Sequence, residues 1–244
     1  MNLVIDIGNT RLKYGFFEKG ELRSSGCDVH ELEKKLECLK KGEQEIDILI
    51  SGSGKIDQRL QELLKSKARL YFYADHALKL PININYQTPE TLGFDRIANA
   101  VGGNGLFPGR ELLIVDAGTA ITYDFVDASN SFIGGNISPG YAIRFKSLHE
   151  HTDKLPLLKA DAEYDFCGRN TREAIVNGVM NGIFFEVKEY IDRFIETHEN
   201  GKIILTGGDS LYIHNRLSSN ALLQKDLGII GLNLIIEHNK TTKT

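Results

Sequence analysis

Apolar residues in this chain come in two rhythms: short β-branched runs bounded by Gly, Asn and Asp, and longer stretches in which Leu, Ile or Phe recur every three or four positions. The first rhythm predicts strands and the second predicts helices. Residues 2 to 26 read as a β-meander, and Val29 to Lys41 as an amphipathic helix with Leu32, Leu36 and Leu39 on one stripe. Ile46 to Ile50 is a strand running into Ser51-Gly-Ser-Gly54, followed by a helix from about Ile56 to Ser66. The Gly-x-Gly of that turn lacks the third glycine of a dinucleotide fingerprint and no second βαβ unit follows, so a plain strand-to-helix turn is expected. Leu70 to Tyr73 is another short strand, and Pro81 to Pro89 an extended, Asn-rich connection.

A helix is expected from near Thr91 to Gly102-Gly103, where two glycines in succession make a natural stop. Leu112 to Val126 is a strand hairpin, and Ser131 to Ile137 adds a strand through Gly134-Gly135. Ser138-Pro139 supplies an N-cap with Pro at the first helical position. Asn170 and Glu173 open a long helix, reaching about His198, in the manner of a capping box. On it Ala174, Gly178 and Gly182 recur every four residues, a spacing that favours close helix packing in a core or a dimer interface. Ile203 to Leu205 is a buried strand feeding Thr206-Gly207-Gly208-Asp209, and Leu227 to Glu237 closes the pattern. The order describes an α/β chain of two related lobes, residues 1–109 and 110–244, with ligands expected at strand ends and between the lobes. Asp6 and Asp116 should then face each other across a cleft.

Those two aspartates belong to near copies of one stretch. The first reads Leu3-Val-Ile-Asp6-Ile-Gly8-Asn9-Thr10-Arg-Leu-Lys13-Tyr14-Gly-Phe16, the second Leu113-Ile-Val-Asp116-Ala-Gly118-Thr119-Ala-Ile-Thr122-Tyr123-Asp-Phe125. Dropping one residue from the first aligns Thr10 with Thr119, Tyr14 with Tyr123 and Phe16 with Phe125. Each copy describes a hairpin whose tight loop exposes backbone N–H groups and small hydroxyls, with a carboxylate at the strand end. Such a loop suits phosphate, and such an Asp suits a cation.

Bulk properties narrow the class. A chain of 244 residues with 41% apolar positions, nine Tyr and twelve Phe can build one large or two ordinary domains. A net charge of -4 and a pI near 6.0 argue against a nucleic-acid surface, which demands clustered Lys and Arg. Cys27, Cys38 and Cys167 are odd in number and lack Cys-x-x-Cys spacing, which disfavours a disulfide framework and a zinc site and makes a reducing cytoplasm the default. No export signal or membrane anchor is expected, because no apolar run approaches the roughly 18 residues of a span.

Read as chemistry, Asp6 can anchor a hydrated Mg²⁺ while Gly8, Asn9 and Thr10 offer donors to phosphate oxygens. Lys13, just past the loop, either offsets charge on a β- or γ-phosphate or is an ordinary surface charge. Thr206 to Asp209 lets backbone approach a flat group such as an adenine ring, or is a plain turn. Gly93-Phe94-Asp95-Arg96 falls at the first turn of its helix, where the positive helix end and the neighbouring Arg96 both favour an ionised Asp95. A positioned carboxylate is what phosphoryl transfer to an alcohol requires, to orient the hydroxyl and accept its proton. The alternative is an Asp–Arg pair that only stabilises the helix start. His149 and His151 are expected at the surface.

Together the motifs closely resemble the type III pantothenate kinases, of the acetate kinase, sugar kinase, Hsp70 and actin superfamily. The resemblance rests on Asp6 to Thr10, Gly93 to Arg96, Asp116 to Asp124, Gly134-Gly-Asn-Ile-Ser-Pro-Gly140, Leu155-Pro156, Asn170-Thr171-Arg-Glu-Ala174 and Thr206 to Gly208, in order along nearly the whole chain. It implies two duplicated ribonuclease H-like lobes of the actin-like ATPase kind, mixed sheets flanked by helices, with the active site in the interlobe cleft. It also implies ATP-dependent phosphorylation of pantothenate to 4′-phosphopantothenate, the entry step of coenzyme A synthesis, by a homodimer using Mg²⁺ and K⁺ or NH₄⁺. Carried over residue by residue, Asp6, Ile7, Gly8, Asn9, Thr10, Arg11, Leu12 and Lys13 match the ATP phosphate loop, with Asp6 holding Mg²⁺ through water. Thr119 matches the second phosphate contact, Asp116 the monovalent cation ligand and Asp95 the catalytic base. Gly93, Phe94, Asp95 and Arg96 match the pantothenate-binding turn, Tyr86 a pantothenate-contacting aromatic, and Thr171 a pantothenate contact near the dimer interface.

One departure stands out: many members carry a small residue, commonly Ala, where this chain has Phe94. A bulky side chain there either reshapes the pantothenate pocket or points into the core. Rival readings are a superfamily kinase acting on acetate or a sugar, whose chains are usually much longer, and a nucleotide-binding regulator of the transcription accessory factor type, which has no need to keep both Asp95 and Asp116. Arg96 is suited to pair with a substrate carboxylate, since a guanidinium fork matches that planar anion.

Overall fold

The computed structural model describes residues 1–8, 11–39, 46–52, 54, 56–75, 77–217 and 220–240. In chain order the elements are β1 (Asn2–Ile7), β2 (Leu12–Glu18), β3 (Glu21–Gly26), α1 (Val29–Cys38), β4 (Ile46–Gly52), α2 (Gln58–Lys67), β5 (Ala68–Tyr73), β6 (Asn83–Ile84) and α3 (Phe94–Leu106). They continue with β7 (Leu112–Ala117), β8 (Ala120–Val126), β9 (Ser131–Pro139), α4 (Tyr141–Glu150), α5 (Thr171–Thr197), β10 (Lys202–Thr206), α6 (Ser210–His214), β11 (Leu222–Leu223) and α7 (Leu227–Lys240). They form two compact units: residues 1–109, 129–133 and 226–244 make the first, and residues 110–128 and 134–225 the second.

The sheet of the first unit runs β3-β2-β1-β4-β5. The β1–β2–β3 meander is antiparallel, and β4 and β5 add in parallel on the other side of β1. As the central strand, β1 is nearly continuously apolar: Leu3, Val4 and Ile5 are fully buried. Asp28 caps α1 by accepting from His30 N–H (2.8 Å) and Glu31 N–H (3.1 Å), and Asp57 caps α2 through Arg59 N–H (3.1 Å). Leu32 and Leu36 of α1 and Leu60 and Leu64 of α2 join Leu3, Ile5, Ile48 and Ile50 in one core. Each such leucine contributes about 1.5–3 kcal/mol by leaving water.

The second unit repeats the plan. In the order β11-β10-β7-β8-β9, β8 pairs antiparallel with the central strand β7, while β10 joins β7, and β11 joins β10, in parallel. Its core gathers Leu113, Val115, Tyr123, Met180, Ile183, Val187 and Leu205. The two-residue β6 pairs in parallel with Ser131 and Phe132, the opening residues of β9, which belong to the first unit.

Three local expectations differ from what forms. The helix α3 does not stop at Gly102-Gly103; it continues to Leu106, because α7 crosses it there. A Cβ on Gly102 would lie 2.4 Å from the Leu227 carbonyl oxygen, and one on Gly231 would lie 1.8 Å from that of Ala98. These glycines are contact points between helices, and α7, although last in the sequence, packs within the first unit. The start of α3 is also later than Thr91: Pro89–Thr91 forms a single 3-10 turn, and Gly93 is the N-cap. Finally, Ser138 and Pro139 end β9, and α4 starts at Tyr141 with Gly140 as its cap. Gly140 is held by its N–H bond to the Thr119 carbonyl (3.1 Å), in a space where a Cβ would meet the Gly118 carbonyl oxygen at 2.3 Å.

A polar cluster fastens α7 to the first sheet. Buried Asp47 accepts from Arg69 Nε (2.8 Å) and Nη2 (2.7 Å) and pairs with Lys240 Nζ (2.6 Å). Beside it Asn2 Nδ2 donates to Asn233 Oδ1 at 2.7 Å and to Glu237 Oε1 at 2.5 Å. No helix among the described residues is long and apolar enough to cross a membrane.

Candidate active site

In the first unit a cleft of about 360 Å³ is lined by Asp6, Ile7, Gly8, Gly52, Asp75, Leu92, Gly93, Phe94 and Asp95. Two motifs nearly ninety positions apart in sequence thus supply one wall each. Asp6 arrives on the central strand, where its register partners are Lys13 on β2 and Ser51 on β4. Directly paired residues project from the same sheet face, so a carboxylate, an ammonium and a hydroxyl lie in a row. The loop after β1 is closed by Gly8 N–H bonding to the Arg11 carbonyl (3.0 Å). Asn9 and Thr10, expected phosphate contacts, lie outside the described residues. Arg11 is exposed and Leu12 half-buried.

Gly52 belongs to the expected strand-to-helix turn, and its backbone needs glycine. It has φ +106°, and a Cβ there would sit 2.2 Å from the Ile7 carbonyl oxygen. That close approach brings the end of β4 into the wall of the cleft.

Asp95 occupies the first turn of α3, and its Oδ1 accepts from the Arg96 backbone N–H at 2.8 Å. The same oxygen lies 2.5 Å from where a Cβ on Gly93 would be, so only glycine leaves the carboxylate its place. Position in the first turn favours negative charge there. The Arg96 side chain is only 6% exposed and turns back, its guanidinium carbon 5.4 Å from the Phe132 ring centroid. Tyr86 meets the same ring edge-on, with centroids 5.8 Å apart. Phe132 therefore joins two residues expected to contact pantothenate. Sequence reasoning missed it, since an aromatic at a strand start is ordinary core by any local signal.

The second unit holds the other hairpin. Asp116 is the penultimate residue of β7, with Thr122 and Thr206 as register partners, and Gly118 N–H closes the loop on the Ala120 carbonyl (3.0 Å). Gly207 has φ +93°, and a Cβ on it would stand 2.4 Å from Asp116 Oδ1 and from the Ala117 carbonyl oxygen. Only a bare backbone can come this close, so the Gly207 turn packs directly against the Asp116 carboxylate. Asp209 N–H bonds back to Ala117 O at 2.9 Å and fixes the turn. Next to it a cavity of about 520 Å³ is lined by Tyr141, Phe145, Lys146, His149, Leu158, Asp209 and Tyr212 among others. His149 and His151 are exposed.

Thr119 is braced from below. Its carbonyl holds Gly140, and α4 is tied through Arg144, which donates to Pro139 O (2.8 Å) and Ser138 Oγ (2.9 Å) and pairs with Glu186 of α5. Tyr123 donates to Glu186 Oε1 at 2.7 Å. Burial opposes charge on Glu186, but the bonds from Arg144, Tyr123 and Ser138 outweigh it and hold its pKa below the ordinary value. Burial, reinforced by the Glu186 carboxylate, pushes the Tyr123 phenol well up, so it stays a neutral donor. Thr171 does not share the Asp116 turn; it opens α5 and lines a groove of about 900 Å³ with Arg144, Leu155, Arg169, Asn170 and Gly178. The Asn170 cap forms as expected, with Glu173 N–H to Asn170 Oδ1 at 3.0 Å, while the Glu173 carboxylate reaches back one residue further, accepting from Arg169 N–H at 2.8 Å.

Among the described residues no three His, Cys, Asp or Glu side chains gather as a metal cage. Asp6 alone fits a cation that keeps most of its shell from water or a ligand, as Mg²⁺ does.

The family model for type III pantothenate kinases matches residues 2–193. A type III pantothenate kinase of Phocaeicola vulgatus is 40% identical over 247 residues, covering 98% of this chain and 99% of the relative. Among solved structures, a Campylobacter jejuni protein described as a Baf family transcriptional activator superposes with a TM-score of 0.62 at 24% identity, covering 98% of this chain and 99% of that one. A Sinorhizobium meliloti protein described as a 2-dehydro-3-deoxygalactonokinase gives 0.59 at 12% identity, covering 98% and 99%. At those identities the two structures speak for the fold alone: mixed α/β, with two sheets flanked by helices, as in actin-like ATPases and sugar kinases. The chain belongs to the type III pantothenate kinase family.

Proposed function

We propose that this protein transfers the γ-phosphoryl group of ATP to the primary alcohol of pantothenate, giving 4′-phosphopantothenate and ADP at the entry to coenzyme A biosynthesis. The observation that supports the reading is one cleft lined by Asp6, Gly8, Gly93 and Asp95, onto which the motif assigned to the phosphates and the proposed base both open. Asp95 orients the hydroxyl and takes its proton as the oxygen attacks in line. Asp6 would hold Mg²⁺ through water and Ile7 to Lys13 would receive phosphate oxygens; Thr119, on the second hairpin, is assigned a further phosphate contact. Mg²⁺ supplies charge neutralisation of the triphosphate.

Asp116 is the proposed ligand for K⁺ or NH₄⁺, supported by its carboxylate at the loop of the second hairpin, against the Gly207 turn. The cavity at Tyr141, Asp209 and Tyr212 is the proposed seat of the adenosine. Arg96, Tyr86 and the Gly93-Phe94 turn are assigned to pantothenate, and Thr171 to a pantothenate contact in a homodimer packed along α5. Support for that packing comes from Gly178, beside which nothing lies within 4 Å of an added Cβ, and from exposed Phe166 and Phe185. The reaction consumes ATP and pantothenate, which makes the cytoplasm its proposed place, with no nucleic acid or membrane partner. A nucleotide-binding regulator is disfavoured, since regulation gives no reason to aim Asp95 into the phosphate cleft.

Coupled detection of ADP release, with and without pantothenate, tests this. Pantothenate-dependent release is expected; release equal in both conditions, or none, overturns the reading.

A further inference from the structure

The cleft holding Asp6 and Asp95 has a neighbour. A second cavity in the same unit, of about 320 Å³, is lined by Leu78, Leu80, Ile84, Pro89 and Ile97 together with Asp75, Glu90 and Phe94. Asp75 and Phe94 line both cavities, and of the two only Phe94 carries apolar bulk. Its ring is half-buried at the first position of α3, one residue before Asp95.

We propose that Phe94 is the partition between the reaction cleft and this apolar cavity, and that it sets how much apolar bulk the acceptor carries beside its reacting hydroxyl. The inference rests on the reading that the acceptor is pantothenate. Phe94 and Asp95 line the same cleft, so with Asp95 at the hydroxyl the Phe94 ring stands beside the carbons next to it. In pantothenate that is the quaternary carbon with its two methyl groups. An aromatic wall there packs against the methyls and leaves no room for larger substituents. Behind the wall stands an apolar cavity with space for them. A pocket discriminates a single methylene by about 10- to 200-fold, so removal of the wall should appear as an exchange of preference and not only as a loss of rate. A ring that merely packed the helix start would, on removal, slow all acceptors alike.

The test compares pantothenate with its homologue in which both geminal methyls are ethyls, in the wild-type protein, Phe94→Ala and Phe94→Leu. The wild type is expected to favour pantothenate in kcat/KM. In Phe94→Ala the ratio of the two kcat/KM values should move by at least about tenfold toward the diethyl homologue, with Phe94→Leu between them and the KM for ATP little changed. Should Phe94→Ala fail to fold, Phe94→Leu carries the comparison. A ratio that stays constant across the folded variants, in an enzyme active on pantothenate, overturns the partition alone. A wild type that releases no ADP with pantothenate overturns the reading beneath it as well.

Discussion

Lys13 is the direct cross-strand partner of Asp6, and the residue at the matching point of the second hairpin, opposite Asp116, is Thr122. The two copies therefore share a backbone plan but differ in charge. The hairpin assigned to the triphosphate sets an ammonium against its carboxylate, whereas the one assigned to a monovalent cation sets a neutral hydroxyl there. Replacing Lys13 by Met removes that charge while keeping the half-buried stem. An enzyme in which Lys13 meets the phosphates should lose about 100-fold in kcat/KM for ATP, seen in ATP saturation curves, with its melting temperature little changed. Unaltered kinetics would make Lys13 an ordinary surface charge.

Asp95→Asn keeps the shape of the carboxylate but removes its capacity to take a proton. Turnover should fall by about 10²- to 10⁴-fold while calorimetric ATP affinity is retained. A variant that still turns over at the parent rate excludes Asp95 as base.

Asp116→Ala should abolish the dependence of rate on added K⁺ or NH₄⁺ while leaving a basal rate. Assays across a KCl series, at constant ionic strength with NaCl, measure it. Rate that still climbs with K⁺ places the cation elsewhere.

Gly231→Ala puts a methyl group where the Ala98 carbonyl stands, 1.8 Å from its oxygen. The helices must separate, at a cost of about 1–3 kcal/mol. A thermal melt should show the loss at about 2–4 °C per kcal/mol. Since α3 carries Asp95, the KM for pantothenate should rise in the same variant; a parent-like melting temperature would contradict the crossing.

The Asp47 cluster gives stability a pH dependence of definite sign. Burial works against the Asp47 charge, but Arg69 and Lys240 outweigh it, holding the carboxyl below its ordinary value of 3.8. A depressed folded-state pKa means that this stabilisation is complete above the unfolded value and is lost as pH falls through the folded one. Acid unfolding below about pH 4 should therefore be shallower in Asp47→Asn than in the parent. Lys240→Ala, which strips one partner from a buried carboxylate that keeps Arg69, should lower stability at pH 7 by about 1–3 kcal/mol, as chemical denaturation would show. Identical acid profiles for Asp47→Asn and the parent would remove the cluster from the account.

The duplication was legible because it is written in local pattern. Aligning the hairpins with one residue dropped pairs Tyr14 with Tyr123, and both are fully buried on the second strand of their hairpins. The additional residue falls in the loop, where Gly8 N–H reaches Arg11 O but Gly118 N–H reaches Ala120 O. Capping at Asn170 was legible for the same reason. What local pattern could not carry was anything set by a distant neighbour. Gly102 and Gly103 carry the signal of a helix end, and only the arrival of Gly231 from α7 makes them a crossing point. Ser138-Pro139 has the composition of a helix start, but the Thr119 carbonyl selects Gly140 instead. Asp75 lines the candidate cleft, and Phe132 backs Arg96 and Tyr86, from segments with no motif at all.

Because α7 completes the packing of α3, the repeat that begins the chain is not contained in the residues that begin the chain. A fragment cut after Gly109 would leave the α3 glycines facing solvent and Asp47 without Lys240. To be isolated as a folded piece, that half would have to be supplied with the last helix in trans, or rebuilt with it spliced ahead of Met1.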